Sequence, residues 1–336
     1  MTSTKSKITS SKLSKLVLEN SSIMEEVLRN LQFVDIQRLQ KVSRGIRSSV
    51  DGLRPEIKSY AVHIYSTENF INIAPVNCSE IKINYRTDTM PLFLSCHRDF
   101  TCEGDDILEM VLNDFKTIFE HQKDCLEKLS INFILFRSFS NLIDPRKMSE
   151  FSALLGELLQ QRNELLKVRN LSIQPLDQES VFHILTNLDP NSLKKITILR
   201  PAMPMRFEID EICQTEQWNN AEELLIEYCT ATAPISEMNI THFSNVRIQV
   251  QTLSSEDVVF LTRKLLKSTT FRRFEIRCGT SNINDRIFDV IGARPAETLQ
   301  GKTWKLPMNN GDTLKIVTNM MGIYFIRVGK SRKPIL

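Results

Sequence analysis

The chain is poor in the residues that most cofactor-binding and cross-linked scaffolds require. Among 336 residues only 10 are glycine, and no G-x-G-x-x-G run occurs, which removes the dinucleotide-binding fingerprint. Gly329-Lys330-Ser331 resembles the end of a phosphate-binding loop. However, Tyr324 stands where its first glycine is required, and five residues remain for the helix that has to follow. The seven cysteines, Cys78, Cys96, Cys102, Cys125, Cys213, Cys229 and Cys278, are odd in number and scattered. Residues 1–15 are polar and lack the apolar core of a secretory leader, so a disulfide framework has no support and most thiols are expected to be small buried residues. The glycosylation-like triplets at Asn20, Asn77, Asn170 and Asn239 are then chance matches. No run approaches the roughly 18 consecutive apolar residues of a membrane span, so a non-membrane protein of the cytosol or nucleus is expected.

Catalytic and metal motifs are equally scarce. Cys96, His97, Cys102, His121 and Cys125 form the densest set of possible metal ligands, but without a C-x-x-C pair or a second ordered cluster they read as buried thiols and surface histidines. No G-x-S-x-G elbow is present, and His63, His183 and His242 are dispersed among apolar stretches. The acidic pairs Glu25-Glu26, Asp105-Asp106 and Glu222-Glu223 are adjacent, which on a helix points them in different directions. No catalytic residue, cofactor or metal is expected.

What is present is an ordinary globular composition, 41% hydrophobic and 25% charged, in a length that at roughly 150 residues per domain suggests two domains. The net charge of +3 conceals an asymmetry. Residues 1–60 hold eleven Lys/Arg against six Asp/Glu, while the remainder holds 32 against 34. Aromatics do not interleave with the basic residues, so a solvated tail and basic helix faces are expected rather than nucleic-acid binding.

After the tail, Ile23, Val27, Leu28 and Leu31 share one helix face, with Asn20 to Ser22 available as caps. Asp35 opens a second run with Ile36, Leu39 and Val42, and Ser43 a third with Ile46, Val50 and Leu53, closed by Pro55. Three short helices in so few residues lie near the lower size limit for independent folding, which points to a unit that docks on something else.

From residue 126 the sequence repeats. Six segments share the register apolar-x-x-apolar-x-apolar: Leu126/Leu129/Ile131, Val168/Leu171/Ile173, Leu193/Ile196/Ile198, Ala221/Leu224/Ile226, Phe243/Val246/Ile248 and Phe271/Phe274/Ile276. Their last members are 42, 25, 28, 22 and 28 residues apart, and four of these spacings fall in the range of leucine-rich-type repeats of one strand and one helix each. Met148 to Leu159, Asp177 to Leu188, and Ser254 to Leu266 with its Ser254-x-x-Asp257 cap, supply helices between the strands. Alternation of this kind favours a parallel sheet with helices on one face, stacked as an irregular leucine-rich-repeat-like strand-helix solenoid within an α+β / α/β fold. Val62/Ile64 and Ile81/Ile83 are weaker strands, Asp105 to Glu120 is a helix, and Leu314–Val317 with Ile323–Val328 form a hairpin that caps the open sheet, with Trp304 packed against it. Polar residues between the apolar strand positions, Lys194, Lys195, Glu222, Glu223, Arg272 and Arg273, are the candidate target-binding residues of such a platform.

The helical segment resembles an F-box, above all in Met24-Glu-Glu-Val-Leu-Arg-Asn-Leu31, Phe33-x-Asp35 and Leu39-Gln-Lys-Val42-Ser43-Arg44-x-Ile46-Arg47. The repeat region resembles the FTH domain that follows the F-box in a large nematode family, most specifically in Thr215-Glu-Gln-Trp218-Asn-Asn-Ala-Glu-Glu-Leu224, with His242-Phe243 in support. Glu19-Asn20 stands where the F-box family usually has Leu-Pro, and Ile46 at a position often held by Trp. The resemblance implies a flexible tail at 1–15, an F-box at 16–58, a connecting region at 59–125 and an FTH domain with its cap at 126–336. It further implies a non-catalytic substrate receptor of an SCF-type cullin-RING ubiquitin ligase. Val27, Leu28, Leu31, Phe33, Ile36, Leu39, Val42 and Ile46 would hold the F-box together or meet the Skp adaptor, and through it a cullin. A ligase-independent protein-interaction scaffold with a degenerate F-box is the alternative.

Overall fold

The computed structural model describes residues 20–31, 42–53, 61–67, 70–75, 83–86, 99–101, 124–133, 145–175, 177–199, 205–283, 286–298, 301–320 and 322–329, with single positions 35, 36, 39, 112, 115, 116, 119 and 122. Helix α1 (Ser21–Arg29) begins where the Asn20 side chain accepts hydrogen bonds from the amides of Ser22 and Ile23, so a polar cap performs the helix entry usually assigned to proline. Helix α2 (Arg44–Leu53) is opened by Ser43, whose hydroxyl accepts from the Ile46 amide at 3.2 Å. Between them Asp35, Ile36 and Leu39 are helical, as the spacing predicts. Met24, Leu28, Ile36, Ile46 and Val50 close a small core of their own, edged by Leu31, Leu39 and Leu53. Pro55 lies outside the described residues.

The rest is organised by one large sheet. Its strands are β1 (Ala61–Thr67), β2 (Phe70–Pro75), β3 (Ile83–Arg86), β4 (Asp99–Thr101), β5 (Leu126–Phe133), β6 (Val168–Gln174), β7 (Lys195–Leu199), β8 (Met205–Phe207), β9 (Glu223–Ala231), β10 (Asn245–Ser254), β11 (Arg273–Asn282), β12 (Arg294–Thr298), β13 (Gly301–Pro307), β14 (Thr313–Asn319) and β15 (Gly322–Val328). Laterally they run β12-β13-β14-β15-β11-β10-β9-β7-β6-β5-β1-β2-β3-β4, with β8 paired to the end of β9. The central run from β5 to β11 is parallel at every step, and its lateral order is the order of the sequence.

The apolar repeat is the register of this ladder. Leu129, Leu171, Ile196, Leu224, Val246 and Phe274 are successive cross-strand partners and form one buried row, which continues through Phe325 and Ile316 to Trp304. Ile131, Ile173, Ile198 and Ile226 form the next row. Helices α3 (Pro145–Gln160), α4 (Gln178–Leu185) and α6 (Ser255–Leu265) cover this face, burying Phe151, Leu155, Val181, Ile184, Val258 and Leu261 in the same core. Asp177 caps α4, and Ser254 with Asp257 forms a reciprocal capping box on α6. No helix among the described residues is long and apolar enough to cross a membrane.

The short helix α5 (Glu216–Asn220) explains the Thr215 to Leu224 string. The Thr215 hydroxyl caps the helix by accepting from the Trp218 amide, and Gln217 donates to the Leu188 carbonyl at 2.7 Å, tying the helix to the preceding repeat. Trp218 is fully buried, donates through Nε1 to the Met238 carbonyl at 3.1 Å, and meets Phe243 edge-on. Next to it His242 Nε2 sits 2.9 Å from the Trp218 carbonyl, and burial lowers its pKa below the ordinary imidazole value. The string is thus a core and cap device linking consecutive repeats.

Residues 232–244, between β9 and β10, form turns, because Pro234 and a left-handed Asn239 interrupt helical geometry. Two features depart from the sequence reading. The expected C-terminal hairpin is present as β14 and β15, seated antiparallel on β11, but β13 and β12 extend it to a four-stranded meander with Pro295 on the outermost strand. Trp304 is in that meander and stacks on Phe288 of α7 (Arg286–Val290) at 3.7 Å. At the other end, β1 pairs in parallel with β5, so the connecting region contributes four strands to the same sheet. Of the helix expected at Asp105 to Glu120, residues 112, 115, 116 and 119 are described as helical, while Ile81 lies outside the described residues.

Two outcomes test this packing. Gly322 has φ +147°, and a Cβ there would stand 2.1 Å from the Ile276 carbonyl oxygen. Gly322→Ala should cost about 3 kcal/mol and loosen the meander from β11, read as a lower urea midpoint and faster amide exchange in β15. Because burial holds the His242 pKa below its unfolded value of about 6.5, the unfolded chain takes up the proton first as pH falls, and stability present above that value is progressively lost below it. Stability should therefore fall between about pH 7 and 5.5 in the wild type, and by less in His242→Gln.

Candidate interaction surfaces

The helical unit divides its apolar residues between two jobs. Leu28, Ile36 and Ile46 are buried in the unit's own core, and Leu31 and Leu39 pack at its edge. Val27 and Val42 face solvent, at 36% and 67% exposure, and Phe33 lies outside the described residues. Ile23, one helical turn before Val27, is 42% exposed and joins them. It is the member that the family pattern omits, although its i, i+4 spacing to Val27 is visible in sequence. Ile23 and Val27 form an exposed aliphatic pair on α1, and Val42 is exposed just before α2; such residues on a unit this small are surface available to a partner.

The sheet face opposite the helices is polar, because side chains alternate along each strand. Lys195, Glu223, Asn245 and Arg273 are direct cross-strand neighbours in one row, and Thr197, Leu225, Arg247, Glu275 and Tyr324 in the next. Four of the six predicted binding residues pair with one another: Lys194 with Glu222 at 3.0 Å and Lys195 with Glu223 at 3.1 Å. Lys194, Glu222 and Arg272 sit just before β7, β9 and β11, along the edge where the chain enters each strand. Lys195, Glu223 and Arg273 lie on the face itself.

A charged cluster that the sequence reading passed over lies at the centre of this face. Glu275, its side chain only 5% exposed, accepts hydrogen bonds from Arg247 at 3.1 Å, Arg273 at 3.4 Å and Arg277 at 2.9 Å. Arg247 also donates to Glu227 at 2.9 Å, and that bond holds its pKa still further above the ordinary guanidinium value. A carboxylate becomes tolerable at this depth because three guanidiniums supply charge and donors around it. The signal for it was the alternation Arg273-Phe-Glu-Ile-Arg277 on a strand whose even positions are core. Beside the cluster β9 bulges: its register to β10 shifts between Arg247 and Gln249, and Tyr228 adopts φ +62° with 60% exposure. Bulges re-aim side chains, and here the bulge turns an aromatic ring outward.

Among the described residues no group of three or more His, Cys, Asp or Glu is placed to hold a metal ion. Cys125 is exposed, whereas Cys78, Cys96, His97, Cys102 and His121 lie outside the described residues, as do His63's side chain and Lys330-Ser331. Burial raises the thiol pKa of Cys213 and Cys278, which keeps these groups protonated and weakly nucleophilic.

Residues 13–58 match the family model of the F-box domain, and residues 149–290 match that of the FTH domain. The chain carries an F-box and an FTH domain. A relative, F-box A protein 224 of Caenorhabditis elegans, is 24% identical over 252 residues, which cover 74% of this chain and 62% of the relative. No solved structure matches the chain. F-box proteins generally act as non-catalytic adaptor subunits of SCF ubiquitin ligases, and the F-box is generally the part that binds the Skp adaptor. In this chain the match to the F-box spans the small helical core, and the match to the FTH domain spans α3 to α7 with the parallel strands β6 to β11.

The arginine cluster is also a structural element of the FTH domain. Glu275→Gln removes the charge that three guanidiniums share, and since these remain 39–54% exposed and solvent-screened the cost should be about 2 kcal/mol, less than for a fully buried pair. A urea midpoint lowered without a change of slope would report it.

Proposed function

We propose that the chain is the substrate-recognition subunit of an SCF-type cullin-RING ubiquitin ligase, its F-box docking on a Skp adaptor and its FTH domain holding a protein target. The observation that carries this reading is the division of labour in the F-box, where a closed core leaves Ile23, Val27 and Val42 outside. Exposed aliphatics on a unit with little surface to spare are stabilised by burial against a partner, at roughly 25 cal/mol per Å² removed from water. We take residues 16–58 as the F-box, 1–15 as its tail, 59–125 as a connecting region and 126–336 as the FTH domain with its cap, acting in the cytosol or nucleus. The lateral succession of β5, β6, β7, β9, β10 and β11, with helices on one face, supports treating the FTH domain as an irregular leucine-rich-repeat-like solenoid. Its strand face, with Lys194, Lys195, Glu222, Glu223, Arg272 and Arg273, is then the surface offered to the target. The chain performs no chemistry on this reading. It raises the local concentration of the target near a ubiquitin-carrying enzyme held through the cullin.

The test is co-purification of the full chain with a Skp-type adaptor. Val27→Asp/Val42→Asp alters only exposed positions, so it should leave the thermal midpoint within a few degrees of wild type while weakening adaptor binding more than about tenfold. Leu28→Asp, by contrast, should unfold the F-box, because it buries a charge in the core. Stable wild-type protein that fails to bind any adaptor would replace this reading with the ligase-independent scaffold.

A further inference from the structure

Resting on the reading that the FTH domain selects a protein target, we propose that the polar face opposite the helices, from β7 across β9, β10, β11, β15 and β14 to β13, docks a carboxylate-rich segment of that target. The first ground is charge segregation. Beyond residue 60 the chain holds 34 acidic residues against 32 basic ones, so a basic surface is not expected by default. Yet this face presents Lys195, Arg247, Arg273, Arg277, Lys315 and Lys305 against Glu223, Glu227 and Glu275. The arginines remain partly exposed even with Glu275 among them.

A second ground is an unfavourable pair that the fold does not relieve. Lys305 and Lys315 are direct cross-strand partners, and among the described residues neither has an ion pair. Like charges placed opposite each other on a sheet are destabilising. An anion lying across them converts that repulsion into attraction.

The geometry selects a peptide rather than a polyphosphate. Arg273, Lys315 and Lys305 share one row through Ile326, and with strands about 4.8 Å apart the row spans about 14 Å, the reach of about four extended residues. Ile326 and Tyr324, both half-buried, lie between the cations and give a peptide apolar contact, while Tyr228 stands exposed on the bulge in β9. The carboxylates of Glu223, Glu227 and Glu275 interrupt the positive surface, which disfavours a uniformly charged phosphate backbone.

The experiment uses the full chain, alone and with a Skp-type adaptor, and a fluorescein-labelled peptide of alternating Glu and Leu as the probe. A Lys/Leu peptide and an oligothymidine strand are the comparison arms. Lys315→Glu gives an opposed signature: relieving the Lys305 repulsion should raise the thermal midpoint, while affinity for the acidic peptide falls about tenfold, steepest at low salt. Lys267→Glu, an exposed change after the last turn of α6, should leave affinity within about twofold. Absent binding of the acidic peptide by the wild type, equal losses in the two variants, or tighter binding of the oligothymidine would each overturn the proposal. Adaptor co-elution is scored separately, so loss of the ligase reading and loss of this surface are distinct results.

Discussion

Cross-strand register is the constraint on which the rest of the molecule depends. In a parallel ladder a slip of one residue would turn every inward side chain outward, moving Leu171, Ile196 and Leu224 to the polar face and the charged row into the core. The apolar rows prevent this by leaving one alignment in which all of them are buried. Everything functional inherits the alignment. The open face carries its ions at fixed intervals because the opposite face is locked by aliphatic packing, and Glu275 is surrounded by arginines only while β10 and β11 keep their registration.

Much of this was legible in sequence, and the reason is periodicity. Six apolar triplets marked the parallel strands and their partners, and Asn20, Ser43, Asp177 and Ser254 marked helix starts because capping depends on local side-chain chemistry. What escaped had no local signature. β12 and β13 are strands because they pair with β14, a non-local event, and Trp304 was recognised as packing without the strand that carries it. The arginine cluster had half a signature: Arg273, Glu275 and Arg277 alternate along β11, but Glu227 and Arg247 come from two other strands and join them only through lateral pairing. In the F-box, one helical stripe was plain, yet the separation of core from surface within it required the crossing of the helices: Leu28 and Val27 are adjacent in sequence and opposite in fate.

The two surfaces differ in their physics, which suits different partners. The F-box stripe is aliphatic, so its interactions scale with buried area and vary little with salt. The sheet face is ionic and partly solvated, so its contacts favour rapid encounter and discrimination between sequences over raw affinity. A contact made on the first would be durable, and one made on the second exchangeable.

Pro295 decides what the edge of the sheet does. The outermost strand at the meander end, β12, lacks one backbone donor at that position, so another chain cannot extend the sheet there by a full set of hydrogen bonds. A sheet of this width is exposed to edge-to-edge polymerisation. A proline at the rim makes that end a poor template for a further strand, so the sheet stops growing where the chain itself stops supplying strands.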